Sequence, residues 1–566
     1  MRFETAGSGV CSAFILVLLI AAAWCATGSA AETGRRPAME PIEKGPFQPS
    51  YESLKQYEYP EWFRDAKFGI WAHWSAQCVP EQGDWYARSM YEEGSADYNY
   101  HVKTYGHPSQ FGFKDICNLW KAENWDPEKL IKLYKRAGAK YFVALANHHC
   151  NFDCWNSKYQ PWNSVNIGPH KDIVGTWAKV ARKNGLRFGV TVHCARSWDW
   201  YDVSHGSDSE GPMKGVPYDG NLTRADGKGK WWEGYDPADL YCPAGAARTP
   251  EAFEAYKVKW FNRTKDLVDK YHPDLLYFDD WMLPLDDAGL NIAAHYYNAN
   301  TKWHRGKLEA VLNTKGLPPE LRGTMVWDIE RDTSSTLEPY PWQTDTCIGE
   351  WHYHRGIEYT QADSIIPMLV DIVSNNGNLL LNIPVRGDGT IDDQEVKILE
   401  DLATWMDVNG EGIFGTRPWK VSKEGGSIRF TTKGEVLYAF LLSWPMEGKV
   451  VIRSLAKQPG TEGRIAGVKL LGHKGGLKYA QDENGLMVNL PAQKPCDYAY
   501  ALKIAVKGLS ELEPVKPDIT VRVESDGSAD LKAEQAELHG GGIQVESRGG
   551  TWKAINLTAV RVKRSE

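Results

Sequence analysis

The chain has 566 residues, enough for one large domain and at least one smaller domain. Its 65 basic and 73 acidic residues give a net charge of −8 without a basic run, which excludes nucleic acid and anionic membrane surfaces as expected main partners. The 24 Trp and 27 Tyr exceed ordinary usage, and such side chains either stack on the faces of sugars or fill a Trp-rich core.

The first thirty residues have the pattern of an export signal. An apolar run over residues 11–26 is followed by small residues at 27–31. The run is shorter than the ~20 residues that a membrane-spanning helix needs. Residues 1–30 are therefore predicted to be a signal peptide, and the protein to be secreted or periplasmic without a membrane span. The eight cysteines beyond residue 31 could form disulfides after export, or could be small buried hydrophobes.

After a Pro-rich lead over residues 31–50, apolar runs alternate with helical patterns through residues 51–416. Strands are predicted at residues 67–73, 140–146, 186–193, 324–329 and 378–383, and in the short run that ends at Asp279. Helices are predicted at residues 126–136, 172–184, 250–270 and 361–374. This alternation predicts an α/β fold with a mostly parallel sheet, and the length fits an irregular (β/α)8-like (TIM) barrel. Residues 204–248, rich in Gly, Pro and Asp, are expected to form a long loop near the mouth of the barrel.

The pattern changes to period two over residues 417–510, where apolar and polar residues alternate between polar turns. This predicts a C-terminal antiparallel β-sandwich. Residues 511–566 begin as a Pro/Lys linker and continue with a strand-like segment. Because roughly fifty residues make too small a core for an independent domain, this end is interpreted as a short β-rich appendage, a truncated carbohydrate-binding module.

Several predicted strands end in side chains that can do chemistry. They are His73, His148, His149, His193 and Asp279. The C-terminal ends of parallel barrel strands meet at one mouth, so these side chains are expected to lie together. Zinc accepts such ligands. Against a zinc site, adjacent histidines on an extended strand face opposite sides, and the four histidines show no His-x-His or His-x-x-x-His spacing. A glycosidase, which needs two carboxyl groups beside the scissile bond, accounts for the set without a metal or another cofactor.

A series of motifs runs in order through residues 50–505. They are FGIWAHW at 68–74, DWY at 84–86, KYFVALANHH at 140–149, LRFG at 186–189, PDLLYFD at 273–279, the segment 342–353, and NGNLLLNIP at 376–384. In this order and spacing the chain resembles the α-L-fucosidases of glycoside hydrolase family 29. The resemblance implies an irregular barrel joined to a C-terminal β-sandwich. It also implies an exported, exo-acting, retaining enzyme that removes terminal α-L-fucosyl residues from oligosaccharides or glycoconjugates by double displacement.

The resemblance also assigns roles to individual residues. Asp279 occupies the position of the nucleophile, and Asp280, which stands where the family usually has Gly, is expected to be a neighbouring polar contact. Residues expected to bind the fucose ring are His73, His148 and His149 at its hydroxyls, Trp85 and Tyr86 lining the pocket, and Trp351 near the methyl face. His193 stands where a Tyr is expected and is predicted to take over its hydrogen bond to the sugar or to the nucleophile.

The acid/base position varies within this family. Glu330, at the end of a predicted strand, is the first candidate, Glu338 is the runner-up and Glu350 is third. A second departure from the family pattern is Cys150, which stands where an Asp is expected.

The sequence leaves three other functions open, and the first is a metal-dependent hydrolase that uses the His, Cys and Asp side chains as ligands. The departures at Cys150 and His193 motivate a barrel that binds fucose or another glycan without hydrolysing it. A related α-L-glycosidase, such as an α-L-galactosidase, also remains open. Galactose has a hydroxymethyl group where fucose has a methyl, and a pocket that discriminates by one such group gains only ~1–3 kcal/mol. No pattern in the sequence addresses the oligomeric state.

Overall fold

The computed structural model describes residues 38–459, 464–515, 544–548 and 551–555. Eight parallel strands follow one another in chain order and close into a barrel, because β1 pairs with both β2 and β8. The strands are β1 Phe68–Ala72, β2 Tyr141–Asn147, β3 Arg187–Val192, β4 Leu275–Trp281, β5 Val311–Lys315, β6 Val326–Glu330, β7 Trp342–Cys347 and β8 Gly377–Asn382. The predicted (β/α)8-like barrel is confirmed, and the C-terminal ends of its strands form one mouth.

Helices connect the strands and cover the outside of the barrel. They span Tyr51–Leu54, Glu61–Ala66, Tyr86–Ser89, Ala96–Thr104, Phe113–Leu119, Pro127–Arg136, Ile173–Lys183, Ser197–Trp200, Ala238–Tyr241, Pro250–Tyr271, Asp287–Trp303, Ala362–Ser374 and Asp393–Asn409. The longest begins at Thr249, whose hydroxyl accepts the Ala252 N–H at 3.2 Å, with Pro at its first position. It ends at His272 in a left-handed conformation, and the chain then enters β4, which carries Asp279.

Strands β5 and β7 are not among the strands predicted from the sequence. Both place polar side chains in the interior, where Asn313, Gln343 and Asp345 are buried, so their apolar pattern is weak. The hydroxyl of Tyr141 donates to Gln343 at 3.0 Å, and Gln343 donates to Asp328 at 2.7 Å. Gln343 lies 202 residues from Tyr141 in the chain. Because its partner is so distant, local periodicity cannot reveal that this polar segment is buried.

The barrel interior is filled by side chains that form a floor below the mouth. Its apolar layer includes Trp71, Tyr141, Val143, Leu275, Tyr277, Val311, Val326 and Leu380. Gly69 is needed on β1 because a Cβ there would lie 2.3 Å from the ring of Tyr141. Trp71 reaches the top of the layer, where its ring centroid lies 4.6 Å from that of His73. The residues at the mouth therefore rest on closely packed rings.

A β-sandwich follows the barrel, as predicted. Its five-stranded antiparallel sheet has the order β13-β16-β11-β10-β9, and its three-stranded sheet has the order β12-β15-β14. The strands are β9 Arg417–Glu424, β10 Ile428–Lys433, β11 Val436–Leu441, β12 Lys449–Ile452, β13 Ile465–Leu470, β14 Tyr479–Asp482, β15 Gly485–Asn489 and β16 Tyr500–Val506. Phe430 and Leu437 of the larger sheet and Leu486 and Val488 of the smaller one share a single buried core.

Two further strands, β17 Gln544–Arg548 and β18 Thr551–Ile555, pair antiparallel. The predicted signal peptide at 1–30 and most of the predicted appendage at 511–566 lie outside the described residues. Within the described ranges, no helix is long and apolar enough to cross a membrane. All eight cysteines from Cys78 to Cys496 are free thiols, and seven of them are buried. This fits the prediction that they are small buried hydrophobes.

Candidate active site

Five imidazole rings line the mouth of the barrel. His73 follows β1, His148 and His149 follow β2, His193 follows β3, and His352 lies beyond β7. The ring centroid of His73 is 5.2 Å from that of His148, 5.0 Å from that of His193 and 4.5 Å from that of His352. The structure therefore brings the four predicted histidines together and adds His352, which was not predicted.

His148 and His149 both belong to this cluster, although adjacent residues on a strand would face opposite sides. β2 ends at Asn147, and its pairing with β3 is irregular between Leu145 and Asn147. Both histidines lie beyond the strand, where alternation no longer applies. Their ring centroids are 4.6 Å apart, and Nδ1 of His149 donates to the carbonyl oxygen of His193 at 2.7 Å.

Several nitrogens of the cluster have no hydrogen-bond partner within the described part of the chain. They are both ring nitrogens of His73, Nδ1 of His148 and Nε2 of His193. Burial lowers the pKa of His73 and of His148 well below the usual range, and lowers the pKa of His149 to about 3. A neutral imidazole offers one donor and one acceptor, and a hydroxyl group can pair with either because it both donates and accepts. Because unpaired buried polar atoms are costly, the cluster is suited to a ligand with several hydroxyl groups.

Asp279 lies at the end of β4 between two partners. Nδ1 of His193 donates to Asp279 Oδ2 at 2.8 Å, and the ammonium of Lys315, at the end of β5, contacts Oδ1. Burial alone would raise the pKa of Asp279, but its interactions with His193 and Lys315 outweigh burial and hold that pKa well below 3.8. Asp279 is therefore an ionised and oriented carboxylate, which is the state that a nucleophile requires.

Glu330 ends β6 and shares the Lys315 ammonium with Asp279. Nζ of Lys315 is 2.6 Å from Glu330 Oε2. Two carboxylate oxygens that bind one ammonium lie no more than roughly 6 Å apart, because each hydrogen bond spans about 3 Å. That limit includes the ~5–5.5 Å separation of the two carboxyl groups in retaining glycosidases. The Glu330 side chain is 40% exposed and that of Asp279 20%, so Glu330 is on the solvent side of the pair.

Glu338, the runner-up, lies at the opposite end of the barrel. In a parallel barrel the loop between β6 and β7 must return from the mouth, and Glu338 stands four residues before β7 begins. Nδ2 of Asn376, which immediately precedes β8, donates to its carbonyl oxygen at 3.1 Å. Its carboxylate accepts hydrogen bonds from Arg322 at 2.8 Å and Ser334 at 2.6 Å. The structure therefore does not bring Glu338 together with the residues at the mouth.

The loop that follows β7 crosses the mouth and is held there by Asp84. The Asp84 carboxylate accepts the backbone N–H groups of Trp351 at 3.3 Å and His352 at 2.8 Å. The Trp351 ring lies 5.8 Å from the histidine that follows β1. Glu350 is in the same loop, but its Oε2 lies against Gly83, 2.2 Å from where a Cβ on that glycine would be. The third acid/base candidate thus faces the rim.

Trp85 and Tyr86, predicted as a pair, have different surroundings. The Trp85 ring stacks on His149 with centroids 5.6 Å apart and 22° between planes. Its backbone φ is 69°, a conformation that bulky residues rarely adopt. Tyr86 is fully buried, and its hydroxyl lies 2.6 Å from Nδ1 of His101. The side chain that reaches the histidine cluster is that of Trp85.

Asp280 points away from the pair formed by Asp279 and Glu330. Its Oδ1 accepts a hydrogen bond from Nε of Arg196 at 2.9 Å, whereas its buried Oδ2 has no partner among the described residues. Burial raises the pKa of Asp280 to about 7, although Arg196 acts in the opposite direction. This is the geometry of a neighbouring polar contact.

Two residues at this mouth, Lys315 and His352, escape prediction from the sequence. Lys315 ends β5, which the sequence does not predict. The pattern that could have indicated this strand is the short, partly apolar run at 309–315, which Gly316 ends. His352 lies inside the motif at 342–353, and the resemblance to the family assigns it no role. Cys150 stands where the family pattern has an Asp. A buried carboxylate follows three residues later, where Asp153 accepts a hydrogen bond from Asn147 at 3.0 Å.

Two sets of side chains at the mouth could hold a metal ion. They are His73, His148 and His193, and His149, His193 and Asp279, with donor atoms within 4.8 Å of one another in each set. Imidazole and carboxylate donors fit zinc by type, and the same atoms fit sugar hydroxyls. The expectation that the site works without a metal or cofactor stays a prediction.

Comparison with known proteins identifies the family to which this barrel belongs. The sequence matches the α-L-fucosidase family profile over residues 37–411 and the α-L-fucosidase C-terminal domain profile over residues 423–505. The chain belongs to the α-L-fucosidase family. It is therefore a glycoside hydrolase, and the predicted resemblance to glycoside hydrolase family 29 is confirmed.

Individual α-L-fucosidases match most of the chain. Tissue α-L-fucosidase of Homo sapiens is 28% identical over 478 residues, covering 81% of this chain and 91% of that protein. The α-L-fucosidase of Branchiostoma floridae is 27% identical over 488 residues, covering 81% and 95%. The crystal structure of Thermotoga maritima α-fucosidase in complex with fucose is similar with a TM-score of 0.62 and 29% identity, covering 81% of this chain and all of that one.

Proposed function

We propose that this α-L-fucosidase removes terminal α-L-fucosyl residues from oligosaccharides or glycoconjugates with retention of configuration, using Asp279 as nucleophile and Glu330 as acid/base. The observation that carries the proposal is the Lys315 ammonium, which contacts both carboxylates at the mouth of the barrel. Because one ammonium contacts both groups, their nearest oxygens lie within roughly 6 Å, a limit that includes the separation used in double displacement.

The first step forms a covalent fucosyl-enzyme. Asp279 attacks the anomeric carbon while Glu330 gives a proton to the departing glycosidic oxygen. In the second step Glu330, now ionised, removes a proton from water, which attacks the same carbon and releases Asp279. The unpaired nitrogens of His73, His148 and His193 support binding of the fucose hydroxyls during both steps.

Replacing Asp279 tests the nucleophile. In Asp279→Gly we expect hydrolysis of an aryl α-L-fucoside to fall by more than about a thousandfold, because the covalent route is lost. Azide should partly restore turnover and give the β-fucosyl azide. Unchanged hydrolysis by Asp279→Gly would refute this assignment, and binding of fucose by a wild-type protein that hydrolyses no fucoside would favour the alternative of a non-catalytic barrel.

Replacing Glu330 tests the acid/base, with Glu338 as the matched control. In Glu330→Gln we expect about a 10²–10⁴-fold loss on fucosides with poor leaving groups and a much smaller loss on activated aryl fucosides. Glu338→Gln changes only contacts with Arg322 and Ser334 at the far end of the barrel and should change neither rate. A large loss in Glu338→Gln with none in Glu330→Gln would reverse the assignment.

We also propose that residues 1–30 direct export and are removed. The apolar run at 11–26 supports this, and the amino-terminal sequence of the protein isolated after expression with its full leader tests it. A mature protein that begins near residue 31 is expected, and one that keeps Met1 would contradict export by cleavage.

A further inference from the structure

Three of the mouth histidines form a triangle of buried rings. They are His73, which follows β1, His148, which lies beyond β2, and His193, which follows β3. Each offers one nitrogen, and these three atoms lie within 4.8 Å of one another. We propose that the three rings bind one Zn²⁺ ion, and that the ion inhibits the enzyme by taking the place of the fucose ring. The competition with fucose rests on the proposed function, whereas binding of the ion does not.

The spacing of these rings matches that of imidazoles around a zinc ion. Zn–N bonds of about 2.0–2.1 Å at tetrahedral angles place the centroids of bound imidazoles roughly 5.2 Å apart. The ring centroid of His73 lies 5.2 Å from that of His148 and 5.0 Å from that of His193, and the last two are 5.3 Å apart. Because a ring centroid lies close to the Cβ–Cγ axis, rotation about that bond redirects a nitrogen while hardly moving the centroid. The rings therefore have the separation of a zinc site, and a change in this torsion directs their nitrogens to the ion.

The nitrogens of the triangle are free to bind a metal. Within the described part of the chain, both ring nitrogens of His73, Nδ1 of His148 and Nε2 of His193 have no hydrogen-bond partner. Burial holds the pKa of His73 and of His148 well below the usual range, so both rings are uncharged and offer a lone pair. By contrast, both ring nitrogens of His352 lie 3.1 Å from Nε2 of Gln77. The three rings of the triangle are therefore the available ligands, and His352 is not one of them.

His193 has the outer partner that zinc-bound histidines usually have. Its Nδ1 donates to Asp279 Oδ2 at 2.8 Å, which leaves the lone pair on Nε2. Metal-bound histidines almost always donate their other N–H to a carboxylate, a carbonyl or water, and this bond orients the ring and raises its basicity. Asp279, Glu330 and Lys315 are two carboxylates and one ammonium, so together they carry one negative charge and attract a cation.

The sequence lacks a zinc spacing motif because the three ligands come from different strands. A spacing such as His-x-x-x-His describes two ligands on one helix. Here the ligands follow β1, β2 and β3, which are neighbours in the closed barrel. His148 lies beyond the end of β2, so the alternation of side chains along a strand does not turn it away from the other two. Closure of the barrel, and not local spacing, brings these ligands together.

Calorimetric titration of the chelator-treated protein with ZnCl₂ tests the site directly. Wild type should bind one zinc ion per chain, and saturation with L-fucose should abolish this binding. His148→Phe keeps a ring in place but removes a ligand, and should raise the Kd for zinc at least about a hundredfold. Asp279→Asn removes the outer partner of His193 and should raise the Kd about 10- to 100-fold. The competition with fucose is measured on wild type, so it does not depend on the folding of a variant.

Inhibition is measured with an aryl α-L-fucoside. At a free zinc concentration of about ten times its Kd, the apparent KM should rise about tenfold while kcat stays unchanged, because ion and sugar exclude each other. Mg²⁺ at the same concentration should have no effect, because it requires oxygen ligands. His170→Asn is the control variant, since His170 is exposed and Asn tolerates its φ of 50°, and it should be inhibited as wild type is.

Wild type that binds no zinc, or a folded His148→Phe that binds it as wild type does, would overturn the zinc site. Zinc that binds equally well when fucose is also bound would overturn the competition. Activity that zinc raises and a chelator abolishes would do the same, because the ion would then be a cofactor. Failure of the proposed function gives a different result, since a protein that hydrolyses no fucoside would still bind zinc in the calorimeter through His148.

Discussion

His193 connects the third strand to the reacting carboxylate. Its Nδ1 donates to Asp279 at 2.8 Å, and this hydrogen bond helps to hold the pKa of Asp279 low. In His193→Phe we expect kcat/KM for α-L-fucosyl fluoride to fall about 10- to 100-fold, the effect of losing one hydrogen bond to a charged group. The acid limb of the pH–rate profile should move to higher pH, because Asp279 then protonates more readily as the pH falls.

Two variants control for this prediction. Thr191→Val changes the same strand two residues earlier, at a buried hydroxyl that has no partner in the described part of the chain, and should not move the acid limb. His193→Tyr restores a donor, and should recover part of the rate. An acid limb that stays in place in His193→Phe would contradict a positioning role for His193.

Asp280 should make the stability of the protein depend on pH. Its pKa is raised by burial from 3.8 to about 7, so in this range the folded state holds a proton that the unfolded state has lost. The stability that Asp280 contributes is therefore present below about pH 4 and is lost as the pH rises to about 7. Between pH 5 and pH 8, wild type should lose more stability than Asp280→Asn, by at most about 1.4 kcal/mol per pH unit.

Denaturant unfolding at the two pH values measures this difference. The exposed Asp199 serves as control, and Asp199→Asn should keep the wild-type dependence. The same dependence in Asp280→Asn as in wild type would show that Asp280 titrates normally.

At the scale of elements, one buried ion pair joins the helix Pro250–Tyr271 to the loop that begins with His148. Nη2 of Arg263 lies 2.5 Å from Asp153 Oδ1, and both side chains are almost fully buried. Arg263 also donates to Asn151 at 2.6 Å. Asp153→Ala should destabilise the protein by about 3–5 kcal/mol, because it leaves a buried guanidinium without its carboxylate.

The double variant Asp153→Leu with Arg263→Leu should cost less than Asp153→Ala, because it removes both charges together. Lys259 of the same helix forms a partly exposed pair at 2.6 Å with Asp239, which lies on the helix Ala238–Tyr241, so Asp239→Ala should cost no more than about 1 kcal/mol. Urea unfolding midpoints measure all three. An Asp153→Ala variant no less stable than Asp239→Ala would contradict the structural role of the buried pair.

At the scale of the whole molecule, the barrel and the β-sandwich share buried surface. Phe440 of β11 is buried 6.3 Å from Trp405, which lies on the last barrel helix, and Trp405 donates to the carbonyl oxygen of Ala499 at 2.7 Å. Tyr438 and Phe440 belong to the same apolar cluster as the outer layer of the barrel. The two units should therefore unfold in a single calorimetric transition that coincides with loss of fucosidase activity.

Phe440→Ala should lower the stability of both units together by about 3–5 kcal/mol, because it opens a cavity at their junction. Val451→Ala, on the smaller sheet where the side chain is partly exposed, should cost less than about 1 kcal/mol. Two separate transitions, or a shift confined to the sandwich, would show that the units are energetically independent.

Much of this architecture follows from the sequence alone, because its signals are local. Helices such as Pro250–Tyr271 begin and end at capping residues, and six of the eight barrel strands are apolar runs between them. The position of His73 or Asp279 at a strand end is also a local property. In a parallel barrel, position at a strand end is sufficient to predict that such side chains meet at one mouth.

Only the tertiary structure decides which carboxylate faces Asp279. Glu330 and Glu338 are eight residues apart and equally acidic in the sequence, but the returning loop carries them to opposite ends of the barrel. Lys315 could not be assigned either, because its strand is short and only partly apolar and its role depends on contacts with β4 and β6. Local sequence predicts an element, whereas a site is made by groups that only closure of the barrel brings within hydrogen-bond distance.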